Sequence, residues 1–361
     1  MLKGFISLVS AAAFVLVLVI SAGAAPAGPL AQVIEGAKKE NVVLAKLVPG
    51  FTQKSMSRLE KEIKDKYGVQ LTIKFTGSTN FPNDVAEAIM EQKVGAMPSY
   101  DLLTLSSTIA TANQGNVLEN VDWKALLSAG TNPDVVHDNP LMRGGIVYKT
   151  AHLGLMYNPE KVKANEVPRT LGDLANPKWK GKGGIQNYAN AWQRLSFLLG
   201  KEKVISALRA ILKNGAIQGT YIDQVNRYLL GEIWFCFVSS EFTESTREKG
   251  MPTAWQSLEF SDIREYSTVV RKGAKNPHGA KLVSLYLASP EGAKFVYEEA
   301  KGGTLYYPGN YEHDIRMQNQ KQGIKEIFGD RMTDLLEFYT SKEAQQLQKD
   351  ISLVLQTGGE R

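Results

Sequence analysis

The run Gly154-Leu155-Met156-Tyr157-Asn158-Pro159-Glu160-Lys161-Val162 continues through Val167-Pro168-Arg169-Thr170-Leu171-Gly172-Asp173-Leu174. It ends in Asn176-Pro177-Lys178-Trp179-Lys180-Gly181-Lys182-Gly183-Gly184-Ile185. An apolar strand must stop at Asn158-Pro159, because the residue before a proline is pushed out of the helical region. A short helix follows, with Thr170 as N-cap and Asp173 three residues on, an approximate capping box. The second Asn-Pro pair, Asn176-Pro177, ends it, and a basic Trp-Lys-Gly-Lys turn leads into a new strand at Ile185. Strand, stop, short helix, stop and strand again describe a chain leaving one α/β block and entering another.

Upstream, the periodicity is clear. Val42 to Val48 is an apolar run of strand length, and Met56, Leu59, Ile63 and Tyr67 form a helical stripe. Val69, Leu71, Ile73 and Phe75 alternate with polar residues as a half-buried strand. A helix over about Asn83 to Val94 and a strand over Tyr100 to Leu105 complete a β-α-β-α-β unit, which implies a parallel sheet. After an extended crossover from about Gly144 to Tyr157, a second block is expected. Its strands lie at Gly184–Asn187, Ala216–Gly219 and Ile233–Val238, with helices at Ala191–Asn214 and Asp223–Leu230. A strand from Tyr266 to Val270 carries the chain back. Two helices then start with proline in the first turn, at Pro277 and Pro290.

In open α/β sheets, ligands sit beyond the carboxyl ends of the strands, near helix N-termini with free N–H groups. The strands here run into small polar residues at those ends, which nominates Thr52, Ser78, Thr79, Ser106 and Ser107 in the first block. Tyr188, Asn190, Tyr221, Asp223, Ser239 and Glu241 are their counterparts in the second. Hydroxyls and helix N-termini suit an anion, whereas Glu241 and Asp223 would suit an amine or a metal cation; the ligand's charge stays open. Any one of these residues can instead be an ordinary helix cap or turn.

Bulk properties narrow the class. Lys3 is the only charge before a long apolar run from Phe5 to Ile20, and Ala22-Gly23-Ala24 supplies a small-residue cleavage site, so residues 1–24 read as an export signal. An uncleaved membrane anchor is the alternative. The single cysteine, Cys236, lies in an apolar strand, which rules out an intramolecular disulfide and leaves the core to stabilise the fold. Charges of both signs are interspersed, as in Glu60, Lys61, Glu62, Lys64, Asp65 and Lys66, a solvated surface and not a nucleic-acid footprint. No Gly-x-Ser-x-Gly elbow, phosphate-binding loop or Gly-x-Gly-x-x-Gly turn is present, and the four histidines lack metal-ligand spacing. Nothing favours an enzyme, and no cofactor is expected.

The order of elements around Asn158-Pro159 and Asn176-Pro177 resembles the point where extracellular solute-binding proteins of ABC importers enter their second lobe, in the branch of iron(III), thiamine and polyamine binders. Ser289-Pro290-Glu291-Gly292-Ala293 is similar to the place where that family's chain re-enters the first lobe. The resemblance implies a type II two-lobe α/β fold. Its divisions would be a signal at 1–24, a first lobe of 25–145 plus about 265–310, a second of about 146–264, and a helical tail at 311–361 packing on the lobes. It implies a monomeric periplasmic protein that closes on a small molecule or ion and delivers it to an inner-membrane permease. An exported enzyme or a receptor-docking sensor on the same scaffold is the alternative. Iron-binding members carry adjacent tyrosines in the second half of the chain. Here the one such pair, Tyr306-Tyr307, falls after the Ser-Pro-Glu-Gly helix, and the strand expected to carry it reads Trp234-Phe235-Cys236-Phe237-Val238-Ser239-Ser240-Glu241. The metal assignment is therefore open, and Trp192 is the expected fluorescent reporter of closure.

Overall fold

The computed structural model describes residues 28–78 and 80–360. The export signal expected at 1–24 and the candidate Thr79 lie outside the described residues. Ten strands are present: β1 (Val42–Leu47), β2 (Thr72–Gly77), β3 (Leu102–Leu105), β4 (Gly145–Tyr157), β5 (Gly183–Gln186), β6 (Ile217–Gly219), β7 (Phe235–Ser239), β8 (Ala254–Gln256), β9 (Phe260–Val270) and β10 (Lys325–Ile327). They hydrogen-bond in the order β2-β1-β3-β9-β4-β7-β5-β6, with β10 on β9 and β8 on β4.

The expected parallel unit is observed, with β1 parallel to both β2 and β3. In the second block, β5 is parallel to β6 and to β7. What joins the two is the pair β4 and β9, long antiparallel strands whose opposite ends belong to different blocks. Near their middle the register slips between Val147 and Lys149. One extra residue, Tyr148, bends the strand there, as a bulge does. Its hydroxyl meets Thr104 Oγ1 at 3.0 Å inside the first block.

Apolar cores form on either side of this crossing. One gathers Leu47, Met56, Leu59, Ile63, Ile73, Val270, Leu282 and Phe295 around β1, with the Pro277 and Pro290 helices covering it. Another gathers Leu155, Leu171, Trp179, Ile185, Trp192, Leu208 and Phe237 around β5 and β7. The chain is thus a two-lobe α/β protein.

The quoted stretch folds as expected in outline. Thr170 and Asp173 exchange the bonds of a capping box, Thr170 N–H to Asp173 Oδ2 at 2.9 Å and Asp173 N–H to Thr170 Oγ1 at 3.2 Å. The turn that follows, Gly172–Ala175, is 3-10 and not α-helical. Four residues before the next Asn-Pro leave room for no more. The returning strand starts at Phe260, six residues before the expected Tyr266. The tail is more than helical: β10 adds a strand beside β9, and the helix Lys342–Gln356 places Leu347, Ile351, Val354 and Leu355 in the second core. Among the described residues, no helix is long and apolar enough to cross a membrane.

Candidate functional site

Between the lobes lies a cleft of about 670 Å³. Its first wall comes from Asn80 and Phe81, at the start of the helix Phe81–Lys93, and from Ser106, Ser107 and Thr108 beyond β3. Its second wall comes from Tyr188, Asn190 and Gln193 around the helix Ala189–Leu199, Tyr221 at the start of the helix Tyr221–Leu229, and Ser239 at the end of β7. The floor is β9, through Arg264 and Tyr266, and Tyr339 of the tail closes one side. Each wall residue follows the carboxyl end of a strand, where parallel sheets leave loops and helix N-termini free.

Six of the expected residues, Ser106, Ser107, Tyr188, Asn190, Tyr221 and Ser239, line this cleft. Four do not, and the reasons are local. Thr52 caps the helix Gln53–Tyr67, accepting from Ser55 N–H at 3.2 Å while Ser55 Oγ accepts from Thr52 N–H at 3.1 Å. Ser78 is buried and donates to Asp84, whose carboxylate pairs with Lys46 at 2.5 Å. Asp223 is exposed and caps the helix at Tyr221, accepting from Thr220 N–H at 2.9 Å and Thr220 Oγ1 at 2.8 Å. Those two bonds hold its carboxyl below the usual range. Glu241 pairs with Lys149 behind the cleft floor, its other oxygen 3.5 Å from Tyr266 Oη. Both acidic candidates are spent on the protein's own groups.

The expected fluorescent reporter is also displaced. Trp192 is fully buried in the second core and donates its indole N–H to Gln186 O at 2.9 Å. Tyr306 and Tyr307 stand away from the cleft. Tyr306 Oη donates to Glu265 at 2.5 Å and accepts from Arg331, and Tyr307 Oη donates to Ala288 O at 2.8 Å.

Arg264 was not foreseen, and it dominates the electrostatics. It is the only charged side chain on the cleft wall among the described residues. Its Nε lies 3.4 Å from Asp262 Oδ2, and no acceptor among the described residues takes its terminal N–H groups. Asp262 cannot bind it more closely, because Arg194 already holds that carboxylate from two sides at 2.7 Å. Arg194 also donates to Asp330 at 2.7 Å, and all three of these partners are fully buried. An ideal Cβ on residue 329 would come within 2.5 Å of Arg194 Nη2, so Gly329 leaves room for the guanidinium. The network fixes the strand that carries Arg264 and leaves the planar end of that side chain facing the cleft.

The neighbouring polar atoms add donors. Ser239 Oγ is buried without a partner among the described residues, as is Thr108 Oγ1. No side chain caps the helix Ala189–Leu199, so its first N–H groups are open at its positive end. Burial pushes the Tyr221 phenol up to about 12 despite nearby Arg264, and pushes Tyr266 well above its ordinary value. Both are neutral hydroxyls at physiological pH. Among the described residues, no group of three or more His, Cys, Asp or Glu side chains is placed to hold a metal.

A crevice between two α/β lobes joined by a pair of strands, lined by convergent polar groups, defines a protein that binds a solute by closing on it. Residues 59–312 match the family described as bacterial extracellular solute-binding protein, and the chain belongs to that family. Solved structures share the fold. Iron-bound HitA from Pseudomonas aeruginosa is 18% identical over 86% of this chain and 99% of its own, with a TM-score of 0.62. The spermidine/putrescine substrate-binding protein PotD from Streptococcus pneumoniae is 14% identical over 89% of this chain and 100% of its own, with a TM-score of 0.68. MotA from Agrobacterium tumefaciens B6, in complex with glucopine, is 14% identical over 86% and 99%, with a TM-score of 0.59. No match is found among curated protein sequences.

Proposed function

We propose that this solute-binding protein captures a small organic anion, a carboxylate or phosphonate, with Arg264 as its anchor. The observation that carries the reading is that Arg264 is the sole charged group on the cleft wall among the described residues. A guanidinium with free terminal N–H groups matches a carboxylate or phosphonate through paired hydrogen bonds. A polyamine would need carboxylates there, and Asp223 and Glu241 are engaged elsewhere. Ligand held by groups of both lobes favours the closed form, and closure presents the complex to an inner-membrane permease. A monomer acting in the periplasm, without catalysis, is part of the same proposal. So is the division into a first lobe of 25–145 with about 265–310 and a second of about 146–264; the separate cores support two lobes, with Ile146, Val147 and Tyr148 packing in the first.

Four tyrosines in the cleft, Tyr188, Tyr221, Tyr266 and Tyr339, favour a second reading, a ferric ion held by phenolates. Raised phenol values and an adjacent guanidinium weigh against it. One experiment separates the readings: thermal-shift and calorimetric titration of the protein with carboxylates, phosphonates, amines and ferric citrate. The expected result is stabilisation by organic acids and none by amines. Arg264→Met should weaken acid binding by about 10–100-fold, the value of a lost charged hydrogen-bond pair, with the melting temperature of the free protein retained. Amine binding, acid affinity unchanged in Arg264→Met, or a visible phenolate-to-iron absorption band would overturn the anion reading.

A further inference from the structure

Arg264 accounts for one end of a ligand; the rest of the cleft is aromatic. Phe81, on the first lobe, packs edge-on against Tyr266 of the floor, ring centroids 6.0 Å apart and planes at 70°. Across the gap, Tyr188 and Tyr221 make a similar pair at 5.6 Å and 86°. The second pair is held from behind: Tyr188 Oη accepts from Tyr221 N–H at 3.2 Å, and Phe242 packs edge-on against Tyr221 at 5.9 Å. Phe81 is only partly buried and carries no polar atom, so it offers a solute nothing but an apolar surface. Two aromatic walls on opposite lobes, with a guanidinium on the floor, form a slot that is aromatic as well as basic.

Resting on the anion reading, we propose that the solute is an aromatic or heteroaromatic acid: a planar ring between Phe81 and the Tyr188–Tyr221 pair, with its carboxylate or phosphonate on Arg264. Closure would bring the walls onto the ring's faces or edges, where the ring quadrupole favours contact with other aromatics. Ser239 Oγ, buried at the cleft and lacking a partner among the described residues, is a further donor for the acid group or a ring substituent. An open-chain acid satisfies Arg264 equally well but leaves the walls poorly covered. Ring preference is thus a property of the walls and charge preference a property of the floor.

The two are tested with matched probes. Phenylphosphonate is compared with butylphosphonate, and 4-hydroxybenzoate with hexanoate, by calorimetric titration. The aryl acids should bind about tenfold more tightly than their open-chain partners. In Phe81→Leu, which keeps an apolar side chain at this partly buried position, the aryl-to-alkyl affinity ratio should fall towards one. Equal binding of ring and chain acids, or a ratio unmoved in Phe81→Leu, would overturn the aromatic slot and leave the anion reading standing. Amine binding with no response to any of the four acids would overturn both.

Discussion

Arg194→Met probes how the cleft floor is held. The substitution removes three hydrogen bonds of 2.7 Å, two to Asp262 and one to Asp330, all fully buried. Asp262 keeps Arg264 at 3.4 Å, but Asp330 keeps only the Glu265 N–H at 3.4 Å and a more distant attraction to Arg264. Breaking a buried ion pair from one side costs about 3–5 kcal/mol, against about 5–15 kcal/mol for a whole domain. The pH dependence gives a sharper signature. In the native protein, burial alone would raise the Asp330 carboxyl, yet Arg194, helped by Arg264 and the Glu265 N–H, outweighs it and holds the value below the ordinary range. A depressed carboxyl contributes stability above its unfolded value and loses it as pH falls. Without Arg194 burial wins, the Asp330 carboxyl rises, and its contribution reverses: present in acid and lost as pH rises through the new value. Urea unfolding of Arg194→Met at pH 5 and pH 7.5, followed by tryptophan fluorescence, should therefore show the larger deficit at pH 7.5. Adding Asp262→Asn and Asp330→Asn should recover most of it, since removing all the charges leaves none stranded. A deficit under about 1 kcal/mol, or one equal at both pH values, would refute the reasoning.

Three further outcomes are expected. Burial opposes charge on His152, but Glu312 and Glu326 outweigh it and push the imidazole up to about 9. Because the folded value exceeds the unfolded one, this stability is complete below about pH 6.5 and disappears as pH rises through 9, on the order of 3 kcal/mol. Denaturation midpoints of His152→Gln should be flatter than wild type over that window. Cys236 is fully buried and its thiol is raised by that burial, so a thiol reagent at pH 8 should label it only after unfolding. Gly292→Ala should cost about 3 kcal/mol or more in urea titration, because a Cβ there would lie 1.9 Å from Tyr286 O in the neighbouring helix turn.

The parallel halves were legible because their strands carry plain patterns: Leu71, Ile73 and Phe75 alternate, and Phe235 to Val238 is a continuous apolar run. The first half of β9 was hidden for the opposite reason. Asp262, Arg264 and Glu265 look like exposed loop residues, yet Asp262 and Glu265 are fully buried through pairing with Arg194 and Arg331. Pairing partners 68 and 66 residues away leave no local trace. The same blindness concealed Arg264. Ser106, Ser107, Tyr188 and Ser239 were found because the carboxyl ends of parallel strands have one destination. Thr52 and Asp223 follow strand ends as the wall residues do but satisfy their own helix N-termini. Hydrogen bonding within four residues cannot be told from ligand contact by composition alone.

The threading of the chain carries a consequence for how it is made. The first core is incomplete until the Pro290 helix supplies Phe295, and the second waits for Leu347 through Leu355. The second nucleus cannot finish until Leu355 is supplied, so a nascent polypeptide displays an unclosed apolar face long after the first core has its parts. For a chain exported as the signal expected at 1–24 proposes, that delay would keep the polypeptide loose enough to pass a narrow translocation channel before it sets.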